Sequence, residues 1–321
     1  MFDKITIKIK CSDDECAHFA RVYSLLPIVD KNGEIIKYIS GEEHKIKNRN
    51  ITIKTKKGNV FEMSLSLHKY WNDMNYGKLK NDDTFTMSEA KSAFERLLFE
   101  NGFVAKRVKI TYFEIGLNLE TGSDPIEFIK LCKNATQKKG MYIDANYQIN
   151  RQKTTEKHKF FRKVWKIYDK GWEMLEKQRG IGKPLQPDRN ILRIETMHRR
   201  TNHRAEVFFS DKNLTALKNQ FRLDWRDLRF ERKVRADKGA RENEIENARR
   251  VFVLGVEAVI EAAKTAFKNS ELSEKRCRTI CDFCKKWKNN SDFAKRFKEI
   301  LSEQEMEYRR LFNKQYSICV L

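Results

Sequence analysis

Phe113-Glu114-Ile115-Gly116-Leu117-Asn118-Leu119-Glu120 closes the stretch Lys106–Glu120. Phe113, Ile115, Leu117 and Leu119 alternate with Glu114, Gly116, Asn118 and Glu120, the pattern that sends one set of side chains to each face of a β-strand. A carboxylate at Glu114, inside so apolar a strand, needs a partner or solvent. Seven further segments carry strand signals: Lys4–Ile9, Glu34–Ile39, Asn50–Thr55, Asn59–Leu67, Met141–Tyr147, Lys159–Tyr168 and Ile191–Met197. They are rich in β-branched or aromatic residues or bounded by turn residues such as Lys57-Gly58-Asn59.

Helical signals interrupt the strands. Ser88–Asn101 places Phe94, Leu97 and Leu98 on one side and stops before Gly102, and Ser123-Asp124-Pro125 opens Ile126–Lys133. Asp211 is positioned to cap a helix reaching Asn219. From Gly239 onward the pattern predicts helices alone. Ile245, Ala248, Phe252, Val256, Val259, Ala263 and Phe267 recur every three or four residues as one long amphipathic helix, and Lys275–Lys288 and Ser291–Phe312 read as two more. The expected fold class is therefore α+β: an antiparallel-type central sheet covered by helices over residues 1–236, then a basic α-helical region over 237–321.

The 321 residues carry 66 Lys and Arg against 45 Asp and Glu, a formal charge of +21. Self-repulsion of that size penalises a compact chain unless a polyanion shares the field. The excess is uneven: residues 1–150 hold 24 basic and 20 acidic side chains, residues 151–321 hold 42 and 25. A basic C-terminal half is the electrostatic footprint of a nucleic-acid binder. No apolar run approaches the ~18–20 residues that cross a bilayer, so no membrane partner is expected. Seven cysteines, scattered and odd in number, do not suggest a disulfide framework. The expected compartment is the cytoplasm.

Assigning faces to four strands brings chemistry together. Ser64, Ser66 and His68 lie opposite Phe61, Met63, Leu65 and Leu67. Glu114 shares a face with Gly116 and Asn118, Arg193 with Glu195, and Lys166 with Tyr168 and Lys170. If these strands join one sheet, its polar side is an open platform bearing a His, two carboxylates and a Tyr flanked by lysines. That set suits phosphodiester transesterification, with His and carboxylates holding a divalent cation and the phenol attacking phosphorus. A phenol with an ordinary pKa of about 10 needs a nearby cation to react as phenolate, a part Lys170 could take. Each residue also has a plainer reading: Tyr168 as packing, His68 as a satisfied polar residue, Glu195 with Arg193 as a salt bridge.

The order of the segments resembles rolling-circle replication initiators of the filamentous-phage gene II/X type and related plasmid initiators with a Tyr-x-Lys element. The matching residues are Ser66-Leu67-His68-Lys69-Tyr70, Phe113 to Asn118, Lys166-Ile167-Tyr168-Asp169-Lys170-Gly171, Leu192-Arg193-Ile194-Glu195 and Phe209 to Leu214. They cover roughly residues 50–220; the helical end shows no familiar pattern. The resemblance implies a metal-dependent DNA endonuclease and nucleotidyltransferase that nicks and rejoins one strand at a phage or plasmid origin, leaving a 5′-phosphotyrosyl link. It makes Tyr168 the nucleophile and Lys170 its accompanying lysine, with Glu114, Glu195 and His68 as candidate ligands of Mg²⁺ or Mn²⁺. The implied partners are origin DNA, single-stranded or hairpin at the nick, and a host polymerase and helicase. Many such nucleases carry His-hydrophobe-His on a central strand, and none of the six His residues here is so spaced. A relaxase or transposase-like nickase would use the same chemistry, and a non-enzymatic DNA-binding regulator would use none of it.

Further basic residues are candidates for DNA contact: Lys166, Arg193, the pair Arg199-Arg200, and Arg226 and Arg229 within the Arg-aromatic segment Arg222–Arg235. Lys138-Lys139-Gly140 joins them. Gly180-Ile181-Gly182-Lys183-Pro184 lacks the full phosphate-loop pattern. Cys277, Cys281 and Cys284 have helical spacing and read as a face packed inward.

Overall fold

The computed structural model describes residues 2–39, 50–56, 59–134, 141–143, 163–176, 188–226, 228–230 and 233–320. The fold is α+β, and its centre is one mixed sheet of nine strands. In chain order these are β1 (Phe2–Lys10), β2 (Leu26–Val29), β3 (Ile35–Ile39), β4 (Thr52–Lys56), β5 (Val60–Ser66), β6 (Val108–Glu120), β8 (Met141–Ile143), β9 (Lys163–Asp169) and β10 (Ile191–Arg204). A short β7 (Cys132–Asn134) pairs outside this sheet with β11 (Arg229–Phe230), and β12 (Lys233–Ala236) pairs with β13 (Phe297–Ile300). The order across the main sheet is β2-β3-β4-β5-β1-β6-β10-β9-β8; all neighbours are antiparallel except β8, which joins β9 in parallel.

The middle of that order matters most. The first strand of the chain lies between β5 and β6, so residues near the N-terminus reach the centre of the sheet. The long strands β6 and β10 run side by side with Glu195 opposite Gly116 and Arg193 opposite Asn118. On the other flank of β10, Glu195 faces Lys166 and Arg193 faces Tyr168.

Twelve helices surround the sheets among the described residues: α1 (Asp13–Val22), α2 (Leu67–Tyr76), α3 (Met87–Glu100), α4 (Pro125–Leu131), α5 (Lys170–Glu176), α6 (Ala205–Phe208), α7 (Asp211–Trp225), α8 (Glu242–Leu254), α9 (Val256–Lys268), α10 (Glu274–Asn289), α11 (Ser291–Lys295) and α12 (Glu303–Val320). Local chemistry sets their starts. Ser12 with Glu15 and Thr86 with Glu89 form reciprocal caps at α1 and α3. Ser210, one residue before the expected Asp211, caps α7, which continues six residues past Asn219. Among the described residues no helix is long and apolar enough to cross a membrane.

The apolar face of the sheet packs on aromatic side chains. Phe2, Phe113, Phe208 and Phe209 cluster with ring centroids 4.8–6.1 Å apart, and Phe94 of α3 stacks on Phe209 at 4.2 Å. Trp225 is buried and donates its indole N–H to Thr196 Oγ1 at 3.0 Å. A separate core gathers Ala248, Val251, Val259, Ala263, Cys277, Ile280, Phe283, Cys284 and Phe297. Cys277 and Cys284 are packing residues there.

Several expectations for the last third are corrected. The single helix through Ile245 and Phe267 is two, because Gly255 adopts φ 84° and ψ 157°, a conformation open to glycine that ends α8. Ser291–Phe312 is not one helix: α11, β13 and α12 divide it, and β13 is a strand where only helices were expected. The helical end is also not one unit from residue 237. Tyr308, Phe312, Tyr316 and Cys319 of α12 belong to the main core, and the Tyr308 hydroxyl donates to the Trp225 carbonyl at 2.9 Å. Lys138-Lys139-Gly140 and Gly180 to Pro184 lie outside the described residues, as do the ends of the expected strands at 144–147 and 159–162.

Core placement makes a stability prediction. Phe113 is 1 % exposed and Phe99 is 87 % exposed. Phe113→Ala is expected to cost about 3–5 kcal/mol, and Phe99→Ala to stay within about 0.5 kcal/mol, as read from urea unfolding midpoints.

Candidate active site

Strand register builds the polar cluster. Tyr112, Glu114, Gly116 and Asn118 occupy one face of β6, Arg193 and Glu195 the same face of β10, and Lys166 and Tyr168 that of β9. Arg193 sits at the centre. Its Nε donates to Glu195 Oε1 at 2.5 Å, one terminal nitrogen to Asn118 Oδ1 at 2.7 Å, and the other to Asp3 Oδ2 at 2.8 Å. The Tyr168 hydroxyl donates to Glu195 Oε1 at 3.0 Å. Lys166 Nζ lies 2.5 Å from Glu195 Oε2, 3.9 Å from Glu114 Oε1 and 5.6 Å from the centre of the Tyr168 ring. The Tyr112 hydroxyl donates to Glu114. Asp3 also accepts from Ser66 Oγ at 2.6 Å and Asn81 Nδ2 at 3.1 Å.

Burial and charge compete throughout the cluster. Burial pushes the Glu195 carboxyl up, but Lys166 and Arg193 outweigh it and hold the group at about 2. Burial also acts on Asp3, where Arg193 and Lys170 hold the carboxyl well below the usual range. Glu114 goes the other way: burial, reinforced by the negative Glu195, exceeds the pull of Lys166 and raises it. Burial and then Glu195 keep the Tyr168 phenol well above its ordinary value, so it rests protonated. Three acids thus face Lys166, Arg193 and Lys170, and Glu114, with Lys166 at 3.9 Å, is the one whose carboxyl is raised.

The three carboxyls are the place to test for a metal. Asp3, Glu114 and Glu195 each offer an oxygen, and the three oxygens lie within 4.8 Å of one another. The donors are all oxygen, the kind that hard cations such as Mg²⁺ or Mn²⁺ take, although Lys166 and Arg193 already meet oxygens of Glu195 and Asp3.

The structure brings Tyr168, Glu114, Glu195, Lys166 and Arg193 together and separates other expected residues. His68 does not extend β5. The Ser66 hydroxyl accepts the Lys69 N–H and starts α2, so His68 lies on a helix. There its Nε2 meets Asp83 Oδ1 at 2.5 Å and its ring stacks on Phe85 at 4.5 Å, outside the triad of acids. Lys170 opens α5, is buried, and pairs with Glu173 at 2.5 Å; burial and then Arg193 lower its ammonium to about 8. Arg193 is buried and gives three hydrogen bonds to the cluster, so it stands at a structural centre and not on the surface where a DNA contact was expected. Lys166 likewise serves the acids, with 23 % of its side chain exposed. Arg199 is half-buried and Arg200 exposed, beside a register shift in β10 where Arg200 takes φ 55°. Arg226 is exposed at the end of α7, and the Arg229 side chain lies outside what the structure describes.

The expected open platform is closed. Tyr168 is 7 % exposed and Glu195 1 %. Sequence reasoning missed Asp3, Tyr112 and Asn81. An Asp in a strand of alternating apolar residues was a signal for Asp3, since Asp is depleted in strands; nothing local marked Asn81.

Two predictions test the cluster. A Cβ on residue 116 would lie 2.8 Å from Glu195 Cγ and 2.9 Å from the Ile194 carbonyl oxygen, between two fixed strands. Gly116→Ala should therefore cost about 1–3 kcal/mol in thermal or chemical unfolding. Glu195, depressed from 4.5 to about 2, contributes stability that is complete above its unfolded value and is lost as pH falls through its folded one. Glu195→Gln leaves two buried cations short of an acid and should cost about 3–5 kcal/mol near neutral pH. Unfolding midpoints should show the gap to wild type closing as pH falls toward that folded value.

Comparison with protein-family models, with curated proteins and with solved structures found no match to this chain, so the role of the cluster rests on its own chemistry.

Proposed function

We propose that this protein is a rolling-circle replication initiator, a metal-dependent enzyme that nicks and rejoins one DNA strand at a phage or plasmid origin through Tyr168. The observation that carries the reading is the hydrogen bond from the Tyr168 hydroxyl to Glu195, inside a cluster that also holds Asp3, Glu114, Lys166 and Arg193. The order of short motifs around these residues and the +21 charge support it.

In this reading the Tyr168 oxygen attacks the scissile phosphorus, the P–O3′ bond breaks, and a 5′-phosphotyrosyl link forms with a free 3′-hydroxyl. Glu195 Oε1, the acceptor the phenol already meets at 3.0 Å, orients the hydroxyl but at about 2 is too weak a base to keep its proton, which leaves by way of solvent and is balanced by the proton gained by the departing 3′ oxygen. Asp3, Glu114 and Glu195 would hold Mg²⁺ or Mn²⁺, which would supply Lewis-acid polarisation of the phosphate. Lys166 over the phenol ring supplies positive charge as phenolate develops, while Lys170, the accompanying lysine of this reading, is paired with Glu173. Arg193 positions Glu195 and Asp3. Because the phenol is buried and protonated, the described arrangement is a resting one, and the strand must gain access before the transfer. Host polymerase and helicase would then use the free 3′-end and the displaced strand.

A relaxase or transposase-like nickase would share this chemistry. One observation favours a second reading, a DNA-binding regulator: the burial of Tyr168 and the mutual pairing around it also describe a polar core. Tyr168→Phe separates the two. It removes one hydroxyl and leaves Glu195 held by Lys166 and Arg193, for a stability cost of about 1 kcal/mol. Covalent attachment to a single-stranded origin oligonucleotide with Mn²⁺ is expected to fall by at least about a thousandfold, with oligonucleotide binding retained, and EDTA should abolish attachment by wild type. Undiminished nicking by the variant would remove Tyr168 from the chemistry.

A further inference from the structure

Away from the Tyr168 cluster, a cleft of about 660 Å³ opens between α8 and the first turns of α10. That is within the ~300–1,000 Å³ range of small-ligand sites and is ample for one nucleotide unit. Its walls hold four cations, Arg249, Arg250, Lys275 and Arg276, against two acids, Glu242 and Glu246. Glu246 is already engaged, by Arg249 at 2.7 Å and Arg250 at 3.3 Å. Lys275 and Arg276 have no carboxylate partner among the described residues. Both lie in the first turn of the 16-residue α10, whose cap Ser273 accepts the Arg276 N–H at 3.4 Å. The preceding first-turn amides are the ones a helix leaves without internal acceptors, and they favour a bound anion. Glu274, the acid that would oppose one, is drawn to Arg278 at 2.5 Å.

Asn247 is an independent sign of a ligand. It is 5 % exposed and lines the cleft, and its side-chain amide has no hydrogen-bond partner among the described residues. What remains exposed of this residue opens on the cleft, where a ligand's polar edge would take the place of water on the amide. Ile245 and Ile280 add apolar wall beside it.

We propose that this cleft binds a nucleotide unit, its phosphate against Lys275, Arg276 and the start of α10 and its polar edge against Asn247. The unit is either a free nucleotide or one residue of a single strand. The inference stands without Tyr168.

The test uses the full chain without divalent metal, so that strand transfer does not enter. Fluorescence anisotropy of a labelled oligothymidylate and direct titration with ATP are measured for wild type, for Lys275→Glu/Arg276→Glu, for Asn247→Asp, and for Lys264→Glu/Lys268→Glu on the exposed side of α9 as a control of equal charge change. The cleft variants should weaken binding about tenfold or more, while the control stays within about twofold at moderate salt. Binding of ATP that the cleft variants lose assigns a free nucleotide; loss with the oligonucleotide alone assigns a strand. Equal losses in the cleft and control variants, or no loss in the cleft variants, would overturn the proposal. Tyr168 adduct formation, scored separately with metal, keeps this outcome distinct from that of the proposed function.

Discussion

The guanidinium of Arg193 joins three strands at once. Its bonds to Asp3, Asn118 and Glu195 link β1, β6 and β10 across the centre of the sheet, on the face opposite the aromatic core. Planar geometry and five fixed donors suit arginine to this post, and a lysine could not hold three acceptors in those directions. Removing any one acceptor would leave a buried cation under-compensated, which is the costly way to break such a network. The phenol of Tyr168 depends on it too, because Glu195 is held where the phenol can reach it. The absence of a side chain at Gly116 then has a simple cause: Glu195 and Arg193 lie across the space that a Cβ would take.

Much of this was legible because a strand's period of two is local. Glu114, Arg193, Glu195, Lys166 and Tyr168 fall on the expected faces, and antiparallel pairing brings those faces together. What was not legible depends on contacts far apart in the chain. Asp3 reaches the cluster because β1 inserts between β5 and β6, and because an irregularity between Phe2 and Ile5 resets the alternation so that both point into the core. His68 was misplaced for a local reason: the Ser66 cap ends the strand two residues before it. The return of α12 to the main core carries no marker in its own periodicity, since any amphipathic helix could face either core.

The same cluster explains why the basic side chains nearest Tyr168 do not add to the outward charge. Lys166, Lys170 and Arg193 are buried or largely buried and paired with acids, so they contribute little to the outward field. Outward-facing positive charge lies elsewhere, on exposed side chains such as Arg200 and along the helices from α8 to α10. In the proposed function, binding and chemistry would be divided between surface and interior.

The account turns on the Tyr168 oxygen becoming bonded to phosphorus. The direct measurement is to incubate the full chain with single-stranded candidate origin DNA and Mn²⁺, digest both polymers, and map the peptide–nucleotide adduct by mass spectrometry. The account predicts a nucleotide mass on the peptide that contains Tyr168, at the tyrosine itself. An adduct on a different residue, or cleaved DNA with no adduct at all, would contradict it.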